Sequence, residues 1–200
     1  MMIAISFVQL IPEGLKYTPP FLIVISFFAG MTIMWIADRL LPHINPELIK
    51  KEKPTVKRSV TMLVIGIALH NIPEGLAIGV GFTITAKLGI AIALAIAIQD
   101  LPENIATIVP LYNLTKKKMK SFIILTTTVL FEVVGFILGY LALKGASLCW
   151  LGASLALAAG FMVYISVEEL IPSAQVKRYP KTAATAMILG VMCVLLTSII

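Results

Sequence analysis

The chain has 200 residues, of which 59% are hydrophobic and 13% are charged, and its mean hydropathy is +0.99. An ordinary soluble domain is about half apolar and about a quarter charged, so this composition excludes that class and indicates a polytopic membrane protein. The net charge of +6 does not indicate a nucleic-acid partner, because the basic residues lie between apolar segments and are not interleaved with aromatic residues.

Seven apolar segments predict an all-α integral membrane protein, a polytopic helical bundle within one domain covering residues 1–200. The last six segments have the roughly 20 residues that a hydrocarbon core of ~30 Å requires. The first segment predicts a partial N-terminal helix, because a helix of that length rises only ~22 Å. The segments are 1–15, 21–41, 60–84, 88–112, 121–143, 148–172 and 182–200.

Lysine and arginine are distributed unequally between the connections. Of the 16 such residues, three lie at Lys16, Lys87 and Lys144, and the other thirteen lie at the alternate connections. By the positive-inside rule the side with thirteen is cytoplasmic. We therefore expect a multi-pass protein of the cell membrane with a cytoplasmic loop at 43–59, its N-terminus inside and its C-terminus outside.

The third segment carries the motif HNIPEGLA, which begins at His70. On a helix His70 and Glu74 are four residues apart and share one face, and Asn71 is adjacent to Glu74 on the same stripe. Pro73 cannot donate a hydrogen bond to the carbonyl of Leu69, so the helix is expected to kink beside these polar groups. Such features recur at transporter binding sites.

The fourth segment repeats this pattern in the motif QDLPENIA, with Gln99, Asp100 and Glu103 at equivalent positions. Two facing helices of this kind would offer a cage of nitrogen and oxygen ligands, with two neighbouring metal positions bridged by Glu74 and Glu103. Imidazole together with carboxylate suits zinc and other first-row divalent ions.

A structural hydrogen-bonded network is the alternative reading of these acidic residues. An ionisable group at the centre of a membrane helix costs ~2.5 to 3.5 kcal/mol even on lenient insertion scales, so such a group is functional by default. A structural network would also need basic partners, and segments 60–84 and 88–112 contain no lysine or arginine. The sequence therefore favours a metal site.

Glu132 lies near the middle of the fifth segment, also without a nearby base. As a ligand from a third helix it would complete the cage on the side of Asn71. The alternative is a protonated glutamic acid packed against a backbone carbonyl.

Four further residues are weaker candidates. Asp38, Glu168 and Glu169 lie near cytoplasmic ends of segments, where they would form an exit station for a cation or would be solvated residues at helix ends. Met2 would supply a thioether ligand, although methionine in apolar sequence usually serves packing.

A second internal echo joins ISFVQLIP at 5–12 to ISVEELIP at 165–172, with five of eight positions identical. Both echoes join segments that run in opposite directions. Inverted pairs of this kind are typical of secondary transporters, in which the binding site lies near the midplane at the repeat interface. The sequence therefore predicts a bundle with inverted repeats.

The motifs HNIPEG and QDLPEN on successive helices resemble the signature of the ZRT/IRT-like (ZIP) family of divalent metal transporters. SVEELIP and ADRLLPHINP are similar to segments of bacterial members. The resemblance implies an eight-helix fold with inverted repeats of three helices around a central pair, in which the seven segments correspond to the second to eighth helices. The chain would then lack the family's first helix.

The resemblance also assigns residues and partners. It implies a homodimer that moves zinc, and often iron, manganese or cadmium, towards the cytoplasm. Met2 falls where some bacterial members have a metal-binding methionine, and Asp38 and Glu169 match positions near the cytoplasmic exit. The implied binuclear site consists of His70, Asn71, Glu74, Gln99, Asp100, Glu103 and Glu132.

The predicted function is transport of Zn2+, as substrate, into the cytoplasm, by a protein that is not an enzyme. Metal ligation needs a neutral imidazole and ionised carboxylates, so uptake is expected to fall as the pH drops towards 5. A truncated relative that binds metal without transporting it is one alternative. An intramembrane metallohydrolase is another, but the sequence contains no HExxH motif.

Overall fold

A computed structural model describes residues 1–40, 56–171 and 180–199, and every regular element within those ranges is a helix. The helices coincide with the seven predicted segments to within four residues, except that the sixth α-helix ends at Ile165 and a π-helical turn, Ser166–Leu170, continues it. In chain order they are α1 Met2–Leu15, α2 Pro20–Leu40, α3 Val56–Ile84, α4 Ala86–Thr115, α5 Lys118–Ala142, α6 Leu148–Ile165 and α7 Pro180–Ile199.

The five helices α2 to α6 are each long and apolar enough to cross a membrane. The apolar stretches Met2–Leu15 in α1 and Lys181–Thr197 in α7 are shorter. The chain is therefore an all-α polytopic membrane protein, as its composition predicts. Five full spans are found by length and composition in the described part of the chain, where the sequence predicts about six.

The beginning of α3 and the end of α4 both extend beyond the predicted segments. Helix α3 begins at Val56, inside the predicted loop 43–59, and the part of that loop before Val56 lies outside the described residues. Lysine and arginine can continue a helix beyond the hydrocarbon core, so a change in hydropathy does not mark the helix end. Helix α4 continues to Thr115 and ends where Lys116 adopts the left-handed conformation, with φ 55°.

Helix α3 packs most extensively against α5, through glycines on both helices. A Cβ atom added to Gly75 would lie 1.8 Å from the carbonyl oxygen of Glu132, and one added to Gly135 would lie 2.2 Å from that of Ile72. Only glycine permits so close an approach of two helix backbones. This contact places Glu132 beside the HNIPEGLA motif.

The apolar core lies where α1, α4 and α6 meet, and its fully buried members include Ile5, Ile92, Ile96 and Leu155. Helix α3 packs against the same group through Ala77 and contacts α4, α5 and α6. Helix α3, which carries HNIPEGLA, is thus packed against other helices on several sides, and this packing restricts the positions of its side chains.

The echoed segments share local geometry as well as sequence over their described residues, 5–12 and 165–171. Ile5–Leu10 of α1 and Ser166–Leu170 after α6 both form π-helical turns. The hydroxyl of Ser6 donates to the carbonyl of Met2 at 2.9 Å, and that of Ser166 donates to the carbonyl of Met162 at 2.8 Å. π-helical turns often mark functional positions, so both segments bear on the search for a site.

Candidate metal site

Helices α3 and α4 bring the acidic residues of the two motifs together. Neither Pro73 nor Pro102 ends its helix, so each motif keeps its polar side chains on one continuous helix. Carboxylate oxygens of Glu74, Asp100 and Glu103 lie within 4.8 Å of one another. When ionised, three carboxylates this close in apolar surroundings repel one another strongly, and a divalent cation would neutralise that repulsion.

The side-chain amide of Gln99 contacts this cluster of three carboxylates. Its Nε2 donates a hydrogen bond to Oε1 of Glu74. The reverse orientation of the amide would place Oε1 of Gln99 against Oε1 of Glu74. The hydrogen bond therefore fixes Nε2 as the atom that faces Glu74 and leaves Oε1 of Gln99 facing other surroundings. Gln99 is 4% exposed, and within the described ranges its Oε1 has no hydrogen-bond partner. A buried acceptor without a donor is rare, and it is what a metal ligand would look like in the absence of the metal.

His70 is buried one helical turn before Glu74. Its Nδ1 lies 2.8 Å from the carbonyl oxygen of Gly66. A carbonyl only accepts hydrogen bonds, so Nδ1 carries a proton, and in the neutral ring the lone pair would lie on Nε2, the arrangement typical of metal-binding histidines. The Gly66 carbonyl thus fixes the orientation of the His70 ring. His70 does not lie within 4.8 Å of all three grouped carboxylates.

Asn71 is oriented by helix α5. Its Nδ2 donates to the carbonyl oxygen of Thr128 at 2.8 Å, which leaves Oδ1 as the atom available to a cation. Glu132 lies one turn further along α5 and shares a cleft with Asn71. The cleft is lined by Ile67, Asn71, Asp100, Glu103, Asn104, Thr107, Val129 and Glu132.

Of the four weaker candidates, Met2, Asp38 and Glu168 do not line this cleft. Met2 is 2% exposed and belongs to the apolar core. Asp38, near the end of α2, accepts a hydrogen bond from the hydroxyl of Tyr164 at 3.4 Å. The side chain of Glu169 lies outside the described residues. Roles for these four residues in metal transport stay predictions.

Sequence reasoning missed three polar residues. Asn104 and Thr107 line the cleft four residues after Asp100 and Glu103, and this helical spacing was the available signal. Gln9 is 6% exposed, and its Oε1, like that of Gln99, has no partner within the described ranges. The echo ISFVQLIP aligns Gln9 with Glu169, which was the only signal for this position.

Comparison with known proteins gives a matching family model and similar individual proteins, all of them described as zinc transporters. The sequence model of the family described as "ZIP Zinc transporter" matches residues 45–198, a range that includes both motifs and Glu132. The chain is 34% identical over 183 residues to a protein named zinc transporter ZupT from Salmonella heidelberg (strain SL476), covering 88% of this chain and 71% of that relative. Proteins of the same name from Salmonella newport (strain SL254) and Salmonella schwarzengrund (strain CVM19633) are similar to the same extent.

Proposed function

Because this chain belongs to the ZIP family of zinc transporters, we propose that it carries divalent cations across the membrane through the cleft between α3, α4 and α5. One observation carries the proposal. Three carboxylates converge within 4.8 Å beside Gln99, whose buried amide oxygen has no hydrogen-bond partner among the described residues. This arrangement is costly without a cation and favourable with one.

The site is proposed to hold two ions. His70 and Gln99 are ligands of the first ion, and Glu74 and Glu103 are carboxylates that bridge both ions. The second ion is bound by Asn71, Asp100 and Glu132. The orientation of His70 by Gly66 and of Asn71 by Thr128 supports these roles, because second-shell hydrogen bonds of this kind position metal ligands.

Zinc is the proposed substrate, because the family description and the similar proteins are named for it. Iron, manganese and cadmium are proposed further substrates, since nitrogen and oxygen ligands accommodate several divalent metals. Because the carboxylates of Glu74 and Glu103 bridge both positions, an ion can move from one position to the other without losing all its ligands. Binding can then be strong enough for entry and weak enough for release.

The cellular arrangement is also part of the proposal. The distribution of lysine and arginine supports a cell-membrane protein with its N-terminus inside and its C-terminus outside. Metal would then move towards the cytoplasm, with Asp38 and Glu169 at the exit. Met2 is proposed as an additional ligand, and the whole chain as one domain that forms a homodimer.

A metallohydrolase is the competing enzyme reading, since a metal held by histidine and glutamate can activate water. Once the acidic residues of the two motifs are assigned as ligands, neither motif retains a general base. We therefore propose that the protein is not an enzyme. A relative that binds metal without transporting it is the other competitor, and it is separated from a transporter by measuring binding and uptake in parallel.

Zinc stoichiometry tests the proposed ligand roles. Equilibrium dialysis of the purified chain with radiolabelled zinc should give two ions per chain, and Asp100→Ala should leave one. Glu74→Ala should weaken both sites, because its carboxylate bridges them. Glu13→Ala is the control, since Glu13 pairs with Lys16 at the end of α1 and an exposed ion pair contributes little to stability. Two tightly bound ions in both site variants would overturn the assignment.

A further inference from the structure

The connection between α4 and α5 carries a concentrated positive charge. Lys116, Lys117, Lys118 and Lys120 are all exposed, and we call residues 116–120 the lysine turn. The sequence contains no aspartate or glutamate from 104 to 131. The charge of the lysine turn is therefore not compensated by any acidic residue along α4 or α5 near it.

Hydrogen bonds fix the backbone of the lysine turn. The backbone N–H of Lys116 donates to the carbonyl of Tyr112 at 2.8 Å. The hydroxyls of Thr115 and Ser121 lie 2.6 Å apart, and that of Ser121 donates to the carbonyl of Lys117 at 3.0 Å. Ser121 is 1% exposed. The lysines thus extend from a defined surface, which lowers the entropy lost when an anion binds them.

The lysines also lie at the end of α5 that favours negative charge. Helix α5 begins at Lys118, and no side-chain hydrogen bond caps its first turn at Lys117. The N–H groups of a first turn and the helix dipole favour anions and disfavour cations. Lys118 and Lys120 therefore oppose the dipole, and a bound anion would relieve that conflict while pairing with both side chains.

The surroundings of the turn distinguish a lipid from a soluble anion. Helices α4 and α5 are both candidate membrane spans, so their short connection lies at a membrane surface. Met119 is 70% exposed and Phe122 is 62% exposed, which places apolar side chains directly beside the lysines. A ligand that carries a phosphate next to hydrocarbon chains matches this combination.

We propose that the lysine turn binds the phosphate headgroups of anionic phospholipids in the leaflet that it faces. Such binding would hold the end of α4 that follows Glu103 and the beginning of α5 that precedes Glu132. Two of the three helices that line the metal site would then be anchored to the membrane surface at one point. This interaction is independent of which metal the protein carries.

Titration of the purified full chain in detergent with fluorescent phosphatidylglycerol, followed by anisotropy, tests the proposal. K118Q/K120Q should raise the Kd roughly 10- to 30-fold, because each lysine near an anionic surface contributes appreciably to attraction. K118R/K120R should bind as the unmodified chain does. K87Q/K144Q removes two exposed lysines from other connections and should leave the Kd unchanged.

Three results would overturn the proposal. They are an unchanged Kd in K118Q/K120Q, an equal loss in K87Q/K144Q, or competition by soluble glycerol phosphate as effective as that by phosphatidylglycerol. Helical circular dichroism and gel filtration establish that each variant is folded. If K118Q/K120Q does not fold, K116Q/K117Q tests the same surface from the connection itself, with the same expected loss.

Discussion

The glycine contact between α3 and α5 gives a sharp prediction about the metal site. A Cβ atom at Gly75 would lie 1.8 Å from the carbonyl oxygen and 2.7 Å from the carbonyl carbon of Glu132. These are backbone atoms, so no rotation of a side chain relieves the overlap. Reaching an ordinary contact of 3.4 Å requires about 1.6 Å of helix separation, and overpacking of this kind costs about 1 to 3 kcal/mol.

The Gly75→Ala variant should therefore lose transport before it loses its fold. Helix separation would move Glu132 away from Asn71, and binding sites tolerate displacements of only about 0.5 Å. We expect zinc uptake into proteoliposomes to fall on the order of 100-fold, the typical cost of a displacement of about 1 Å. Zinc affinity, measured by equilibrium dialysis, should fall with it.

Gly66→Ala is the matched control on the same helix. A Cβ atom added to Gly66 meets nothing within 4 Å, and the carbonyl that holds His70 is retained. Uptake should be unchanged, and the stability of the helix should rise by up to about 1 kcal/mol because alanine has a higher helix propensity than glycine. Wild-type uptake by Gly75→Ala, or an equal loss in Gly66→Ala, would refute the reasoning.

Three further predictions concern protonation, ligation and packing. Zinc uptake should fall between pH 7.5 and 5, because imidazole ordinarily titrates near pH ~6.5 and an imidazolium cannot ligate metal; a flat uptake profile would argue against ligation by His70. Gln99→Ala should weaken zinc binding about tenfold in equilibrium dialysis, since it removes an oxygen ligand and the hydrogen bond to Glu74; unchanged affinity would contradict that role. Thr18→Val removes a hydroxyl that donates to the carbonyl of Cys149 at 2.7 Å, so thermal unfolding should show a loss of about 1 kcal/mol with uptake unchanged, whereas lost uptake at unchanged stability would be unexpected.

The sequence predicts the helices well because apolar length is a strong signal in a membrane protein. It places helix ends less well. The beginning of α3 at Val56 and the end of α4 at Thr115 were both missed, since a helix can continue through lysine, arginine and threonine beyond the hydrocarbon core. Helix ends of this kind depend on local hydrogen bonds, such as that from Lys116 to Tyr112, which hydropathy does not report.

The convergence of Glu74, Asp100 and Glu103 was predictable for a different reason. Spacings of three and four residues place side chains on one helix face, and the two related motifs indicate that such faces meet. The hydrogen bonds from Gln99 to Glu74 and from Asn71 to Thr128 were not predictable, because they join residues 25 and 57 positions apart. Gln9 was missed because a single amide in an apolar segment resembles ordinary packing.

Uptake of radiolabelled zinc into proteoliposomes by the 200-residue chain, compared with Glu103→Ala, tests the proposed transport route most directly. The proposed site predicts uptake by the unmodified chain and its loss in Glu103→Ala, with the variant still folded by circular dichroism. Wild-type uptake by Glu103→Ala would contradict passage through this site. Zinc binding without uptake by the unmodified chain would contradict transport itself and would favour a relative that only binds metal.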